Sequence, residues 1–333
     1  MCNIWKIGSQ VTDLDLSVWM ELLASPELHS LKELDLTGGE PFIRDDINEL
    51  LQGICDLQPS KFPGLRTVAI TTNGIVTDRV LEGTLKIIEP LRARGIDLVL
   101  ACGMDGIGEL HNQIRNYPNA WGKLQKTLSG LQAIRKDHSN LVLGIKTTVV
   151  PRNAHALYDI AAYAEENELF TIISPRIITA NRFGNSDLEA DLRFSSAELE
   201  TIIRFYESPH FAWSGHRDAL LGYLMTGRIQ KPCTAGFNTL FIRHNGDVFC
   251  CPVIPVALGN IKEQTLGDIF RSPAADKFRK KTGAHSACNV CTEPGLERIA
   301  WLLEGFSLLK MMERIGGENF NSLIRHMGID KYL

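Results

Sequence analysis

Between residues 32 and 180, short apolar runs alternate with longer stretches in which apolar residues recur every three or four positions. The short runs predict strands at 32–36, 67–71, 97–101, 141–150 and 170–178. The longer stretches predict helices near 46–57, 78–94, 121–136 and 156–167. The strand runs are almost continuously apolar, as parallel strands covered on both faces must be. Alternation of this kind implies a parallel sheet with helices outside it. Beyond Ser195 the pattern changes to helices at 197–207 and 219–227, then a β-hairpin turning at His244-Asn245-Gly246-Asp247. A helix capped by Thr265 is expected over 266–281, and two helices broken at Gly316-Gly317 over 297–333.

In α/β sheets and barrels, chemistry collects at the C-terminal ends of the strands. Here those ends carry Thr37-Gly38-Gly39-Glu40-Pro41, Thr72-Asn73-Gly74 and Cys102-Gly103-Met104-Asp105-Gly106. Paired glycines let a ligand approach the backbone. The strand edge offers unpaired backbone groups and Glu40 a carboxylate, a combination suited to an ammonium group. The alternative is a plain turn. The glycines at 103, 106 and 108 run G-x-x-G-x-G rather than G-x-G-x-x-G and lie too far along the chain for a dinucleotide fingerprint.

Of eight cysteines, Cys55 and Cys102 fall on a helix and a strand end and read as packed side chains. Cys233, Cys251, Cys288 and Cys291 form C-x17-C followed downstream by C-x2-C, and four thiolates of this kind enclose an iron–sulfur cluster or a zinc ion. Cys250 and Cys251 alternate faces on a strand, so one of them is the ligand, and strand geometry alone does not choose. The net charge of −4 gives no reason to expect a nucleic-acid partner. No apolar run reaches the roughly 18 residues of a membrane span, and residues 1–6 lack the form of a signal peptide. A cytoplasmic protein is expected.

These pieces resemble the radical S-adenosylmethionine (SAM) superfamily, whose motif is C-x3-C-x-Φ-C, with Φ usually aromatic or Met. Met1-Cys2-Asn3-Ile4-Trp5-Lys6 is similar to the end of that motif, and Gly38-Gly39-Glu40-Pro41 to the family's Gly-Gly-Glu-Pro. Thr72-Asn73-Gly74, Asp105-Gly106 and Ile114-Arg115 also look like family features. The resemblance implies a partial (β/α)6 TIM-like barrel over residues 1–228, whose first strand, with the two other cysteines, would precede Met1 in a chain truncated there. It implies a catalytic 4Fe–4S cluster held in part by Cys2. SAM would lie on Gly38, Gly39, Glu40 and Pro41, with Asn73, Asp105 and Arg115 as weaker cofactor or substrate contacts.

Cys233, Gly246, Cys251, Cys288 and Cys291 resemble a twitch domain, the short form of a SPASM domain, at 229–294. It would carry one auxiliary 4Fe–4S cluster, with Cys251 favoured over Cys250, and be followed by a helical tail at 295–333. The implied activity is hydrogen abstraction by a 5′-deoxyadenosyl radical from a small-molecule or peptide substrate, leading to dehydrogenation or maturase-type modification. A flavodoxin or ferredoxin would donate the electron. Arg176, Asn181 and Arg182 are candidates to meet an anionic substrate, but ion-pair or surface roles are the stronger reading. The competing readings are a catalytically inactive iron–sulfur electron-transfer module and a four-cysteine zinc protein.

Overall fold

The computed structural model describes residues 2–6, 13–180, 182–211, 215–304, 306–326 and 328–332. The chain divides into two compact units, Trp5–Ile173 and Met1–Ile4 with Ser174–Leu333. The division falls within the strand expected over 170–178.

In the first unit a short helix, α1 (Leu16–Leu23), precedes the alternation. Then come β1 (Glu33–Leu36), α2 (Ile47–Lys61), β2 (Thr67–Thr72) and α3 (Thr77–Ala93). They are followed by β3 (Asp97–Gly103), α4 (Glu109–Arg115), α5 (Ala120–Asp137), β4 (Leu141–Val149), α6 (Leu157–Glu166) and β5 (Phe170–Pro175). The strands form one sheet in the order β1-β2-β3-β4-β5. The first four pair in parallel, with Glu33 opposite Thr67, Thr67 opposite Asp97 and Leu98 opposite Leu141. An unreversed order has no switch point of the doubly wound kind. Right-handed crossovers then place successive helices side by side, and α2 packs on α3 and α3 on α5. Val68, Ile70, Leu98, Leu100, Leu143 and Ile145 from the strands and Leu51, Ile54, Ile88, Leu91, Leu128 and Ile160 from the helices are buried. This is an α/β fold with a five-stranded sheet of the kind a partial barrel requires.

Two strand ends differ from expectation. β3 runs on to Gly103, so Cys102 is a strand residue with its side chain fully buried. β5 stops at Pro175, where the ring removes the ladder donor.

The second unit contains α7 (Ser196–Glu207) and α8 (Gly215–Thr226). Helix α7 begins with a capping box between Ser195 and Glu198. The antiparallel strands β6 (Phe241–Ile242), β7 (Asp247–Phe249) and β8 (Ala257–Asn260) follow. The Asn245-Gly246 turn lies where expected, and Gly246 holds φ 96°, a conformation that favours glycine. Strand β8 was not anticipated.

The expected helix over 266–281 is two helices, α9 (Leu266–Phe270) and α10 (Pro273–Arg279). Thr265 caps the first, and Ser272 caps the second with Pro273 in its first turn, where the missing N–H costs nothing. The tail has three helices rather than two, α11 (Pro294–Glu304), α12 (Phe306–Ile315) and α13 (Gly317–His326). Leu308, Met311 and Leu323 form their small core, with Trp301 and Leu302 packed against it. Among the described residues, no helix is long and apolar enough to cross a membrane.

Candidate functional site

Two groups of chemistry-bearing residues stand out, one in each unit. In the first unit they collect at the C-terminal ends of β1 to β4. Gly38 and Gly39 face open space: a Cβ built on either meets nothing within 4 Å. Two absent side chains thus leave a cradle beside the sheet edge. Glu40 is buried beside it, and both its oxygens are engaged. Oε1 accepts from the Thr72 hydroxyl (2.9 Å) and the Phe42 N–H (3.2 Å), and Oε2 from the Asn73 N–H (2.7 Å). The carboxylate therefore ties the end of β1 to the end of β2. Pro41 opens a 3-10 turn, Pro41–Ile43, which Glu40 caps. Burial holds the Glu40 carboxyl above its usual range, against the opposing effect of these bonds and of Arg115.

Asn73 spends its side chain on its own turn, accepting from the Ile75 N–H at 2.8 Å. Asp105 is 1% exposed; it accepts from the Thr148 N–H at 2.9 Å and pairs with Arg115 at 2.8 Å. The Arg115 guanidinium lies over Gly103, where a Cβ would come within 2.2 Å of Nη2. A side chain at 103 would have to displace the end of Arg115, and no positive φ is involved. Asn153 donates to the Asp105 and Thr148 carbonyls, both at 3.0 Å. His111 accepts from the Asp105 N–H at 3.2 Å and is fully buried. Burial, then Arg115, pushes it down to about 4. Burial, then Glu40, pushes the Cys102 thiol up to about 12, so it stays a packed, protonated side chain.

His111 and Asn153 were not singled out from the sequence, and Thr72 only as part of the Thr72-Asn73-Gly74 strand end. His111 and Arg115 are four apart, on one face of α4, and that spacing after Asp105 was the available signal.

The second group lies wholly within the second unit. Cys233, Cys251, Cys288 and Cys291 line one pocket. The 3-10 turn Ser286–Val290 carries Cys288 and delivers Cys291. Cys250 points elsewhere: a Cβ on Gly236 would meet its sulfur at 2.7 Å, and its electrostatic neighbour is Arg279. The Val253 N–H donates to the Cys251 sulfur at 3.4 Å, and peptide groups of Ile254, of Gly283 and His285, and of Glu293 favour charge on Cys251, Cys288 and Cys291 respectively. The Lys231 ammonium also favours charge on Cys288 and Cys291. Burial outweighs these influences, pushing Cys251 up to about 11 and raising Cys288 and Cys291.

Among the described residues no three His, Cys, Asp or Glu side chains come close enough to share one metal ion. A tetrahedral zinc ion with bonds of about 2.3 Å would hold its sulfurs only ~3.8 Å apart. A four-iron cluster spreads its thiolates farther, and the donor set and pocket fit that group.

Cys2 is half-buried and outside this pocket. Its neighbour Asn3 is pinned to the loop after β5, donating from its backbone to Phe183 (2.7 Å) and from its side chain to Gly184 (3.0 Å) and Asp187 (3.2 Å). Met1 and Asn181 lie outside the described residues. Arg176 stacks over Phe194 at 4.3 Å, and Arg182 pairs with Glu293 at 3.0 Å. Both arginines thus have protein partners.

Residues 233–292 match the family described as SPASM, an iron–sulfur cluster-binding domain. The match begins at Cys233 and takes in the other three pocket cysteines. The chain is 28% identical over 283 residues to the AdoMet-dependent heme synthase of Methanosarcina barkeri (strain Fusaro / DSM 804), covering 78% of this chain and 74% of that protein. It is 22% identical over 247 residues to the antilisterial bacteriocin subtilosin biosynthesis protein AlbA of Bacillus subtilis (strain 168), covering 73% of this chain and 50% of that one. A GTP 3',8-cyclase of Pseudomonas putida (strain ATCC 700007 / DSM 6899 / JCM 31910 / BCRC 17059 / LMG 24140 / F1) is 28% identical over 222 residues, covering 62% of this chain and 61% of that one. The chain thus spans about half to three quarters of the length of these relatives.

Proposed function

We propose that this chain, which matches the SPASM iron–sulfur domain at residues 233–292 and is similar to an AdoMet-dependent heme synthase, is a radical SAM enzyme that abstracts hydrogen from a small-molecule or peptide substrate. A 4Fe–4S cluster and SAM, when bound, supply reductive cleavage of the sulfonium and the 5′-deoxyadenosyl radical that takes a hydrogen atom from an unactivated C–H bond. The protein's share is binding, orientation and exclusion of water.

In this reading the open backbone at Gly38 and Gly39 receives the amino-acid end of SAM. Glu40 and Pro41 shape that rim, with the Glu40 carboxylate fixing the β1 end against Asn73 and Thr72. Arg115, held by Asp105, adds positive charge to the same rim while remaining 21% exposed. Cys2 is one ligand of the catalytic cluster, held in place through Asn3. Cys233, Cys251, Cys288 and Cys291 hold the auxiliary cluster and leave it no open iron. Electron transfer or a structural role suits such a cluster better than substrate ligation. A flavodoxin- or ferredoxin-like donor supplies the electron.

The observation that carries the reading is the gathering of four cysteines from distant segments around one pocket, with peptide groups favouring charge on three of them. Anaerobic reconstitution with iron and sulfide tests it. The expected result is about four irons and four sulfides per chain at the auxiliary site, lost in Cys251→Ser and kept in Cys250→Ser. Zinc uptake without sulfide would overturn it. A form carrying the motif's other two cysteines, reduced in the presence of SAM, should yield 5′-deoxyadenosine; none would refute the radical assignment.

A further inference from the structure

His285 contributes to the cysteine pocket without being a cysteine. It lines that pocket, and its carbonyl caps the turn that carries Cys288, accepting the Cys288 N–H at 2.8 Å. Its ring is packed on Phe278 with centroids 4.7 Å apart, which fixes the plane of the imidazole. The outer nitrogen, Nε2, is buried and has no hydrogen-bond partner among the described residues. Native structures rarely leave a buried polar atom unsatisfied, and one that is unsatisfied points to a missing partner.

We propose that His285 donates a hydrogen bond from Nε2 to a sulfur of the auxiliary cluster and thereby raises its reduction potential. This rests on the reading of Cys233, Cys251, Cys288 and Cys291 as the cluster's ligands. Those four thiolates fill all four iron positions, so the imidazole is left with the role of donor rather than fifth ligand. Reduction adds negative charge to the cluster and its thiolates. A donor aimed at sulfur stabilises the reduced form more than the oxidised one, as hydrogen bonds to cluster sulfurs do generally. Val253, Ile254 and Phe278 line the pocket beside Lys231, and in partly apolar surroundings a further donor is strengthened.

The test is EPR-monitored redox titration of the reconstituted full chain. His285→Phe should shift the reduction equilibrium at least tenfold toward the oxidised form, about 59 mV for a one-electron couple. His285→Gln, which keeps an N–H, should stay nearer the parent protein. Equal potentials in all three would overturn the proposal. Pulsed EPR of the reduced parent protein labelled with 15N-histidine decides the matter even where His285→Phe fails to assemble. A weak nitrogen coupling supports the hydrogen bond, whereas no coupling, or one of the size of an iron ligand, overturns it. A parent protein that takes up no iron and sulfide refutes the cluster reading itself, an outcome distinct from an assembled cluster with an unshifted potential.

Discussion

Replacing Glu40 with Ala removes three hydrogen bonds at once, those from the Thr72 hydroxyl and from the Asn73 and Phe42 N–H groups. Hydrogen bonds to a charged group contribute roughly 1.5–3 kcal/mol each, an upper bound of about 5–9 kcal/mol for the set. Two features reduce it. Burying the carboxyl carries a cost, visible as its raised pKa, and the open space at Gly38 and Gly39 lets water reach the released donors. A net loss of about 2–4 kcal/mol follows, or ~5–15 °C in the melting temperature of a unit of this size.

Thr72→Val loses the same hydroxyl bond from the other side, together with the one accepted from the Gly74 N–H at 3.1 Å. A double-mutant cycle on Glu40 and Thr72 should therefore give a coupling of about 1–2 kcal/mol by calorimetry or urea unfolding. Additivity to within about 0.5 kcal/mol would show that the tie between β1 and β2 carries no energy.

The pH dependence gives a second check. A carboxyl raised above 4.5 binds its proton more tightly in the folded state. Its stabilising contribution is full below 4.5 and is lost as pH rises through the raised value. Glu40→Ala should lack that slope.

His111 has the opposite sign. Its folded value of about 4 lies below 6.5, so it costs stability on acidification between about pH 6.5 and 4, by up to ~3 kcal/mol. Unfolding curves of His111→Gln across that range should be flatter than the parent's. Gly103→Ala places a Cβ against the Arg115 guanidinium, and should cost about 1–3 kcal/mol in urea unfolding by displacing it from Asp105. Shortening the arginine in a Gly103→Ala/Arg115→Ala double variant should remove most of that clash.

What could be read from the sequence was what local pattern encodes. Buried parallel strands such as Val68–Ile70 and Leu98–Leu100 declare themselves as unbroken apolar runs, and Asn245-Gly246 declares its turn. The divided helix at Ser272-Pro273 was legible too, since serine before proline is a helix-start signal, but the continuing apolar periodicity masked it. Strand β8 escaped because its four residues bury one large apolar side chain, Leu258. The choice of Cys251 over Cys250 came from the family resemblance and not from local pattern, for a different reason. It depends on the chain leaving β7 at Phe249 and turning so that the Val253 N–H meets Cys251. Glu40 was correctly marked as unusual, yet its bonds to Thr72 and Asn73 span more than thirty residues and have no local signature.

The iron–sulfur domain is poorly equipped to hold itself together. It spans about 60 residues, a size at which a chain buries only about 60% of its surface. Its sheet has strands of two, three and four residues, and its apolar interior rests on a few side chains such as Val248, Phe249, Ile269 and Phe278. Small domains of this kind obtain the missing stability from a bound metal group, because binding free energy is then folding free energy. Removing the cluster with chelator and oxidant should therefore lower amide protection in β6–β8 and at 285–292 by at least about a hundredfold. That is the ~2.7 kcal/mol contributed by a group present at a hundred times its Kd. Amides of β2, β3 and β4, backed by an interior of their own, should keep their protection. Hydrogen exchange read by mass spectrometry resolves the two regions. Unchanged protection at Val248 and Phe249 after complete loss of iron would show that the peptide alone sets this fold.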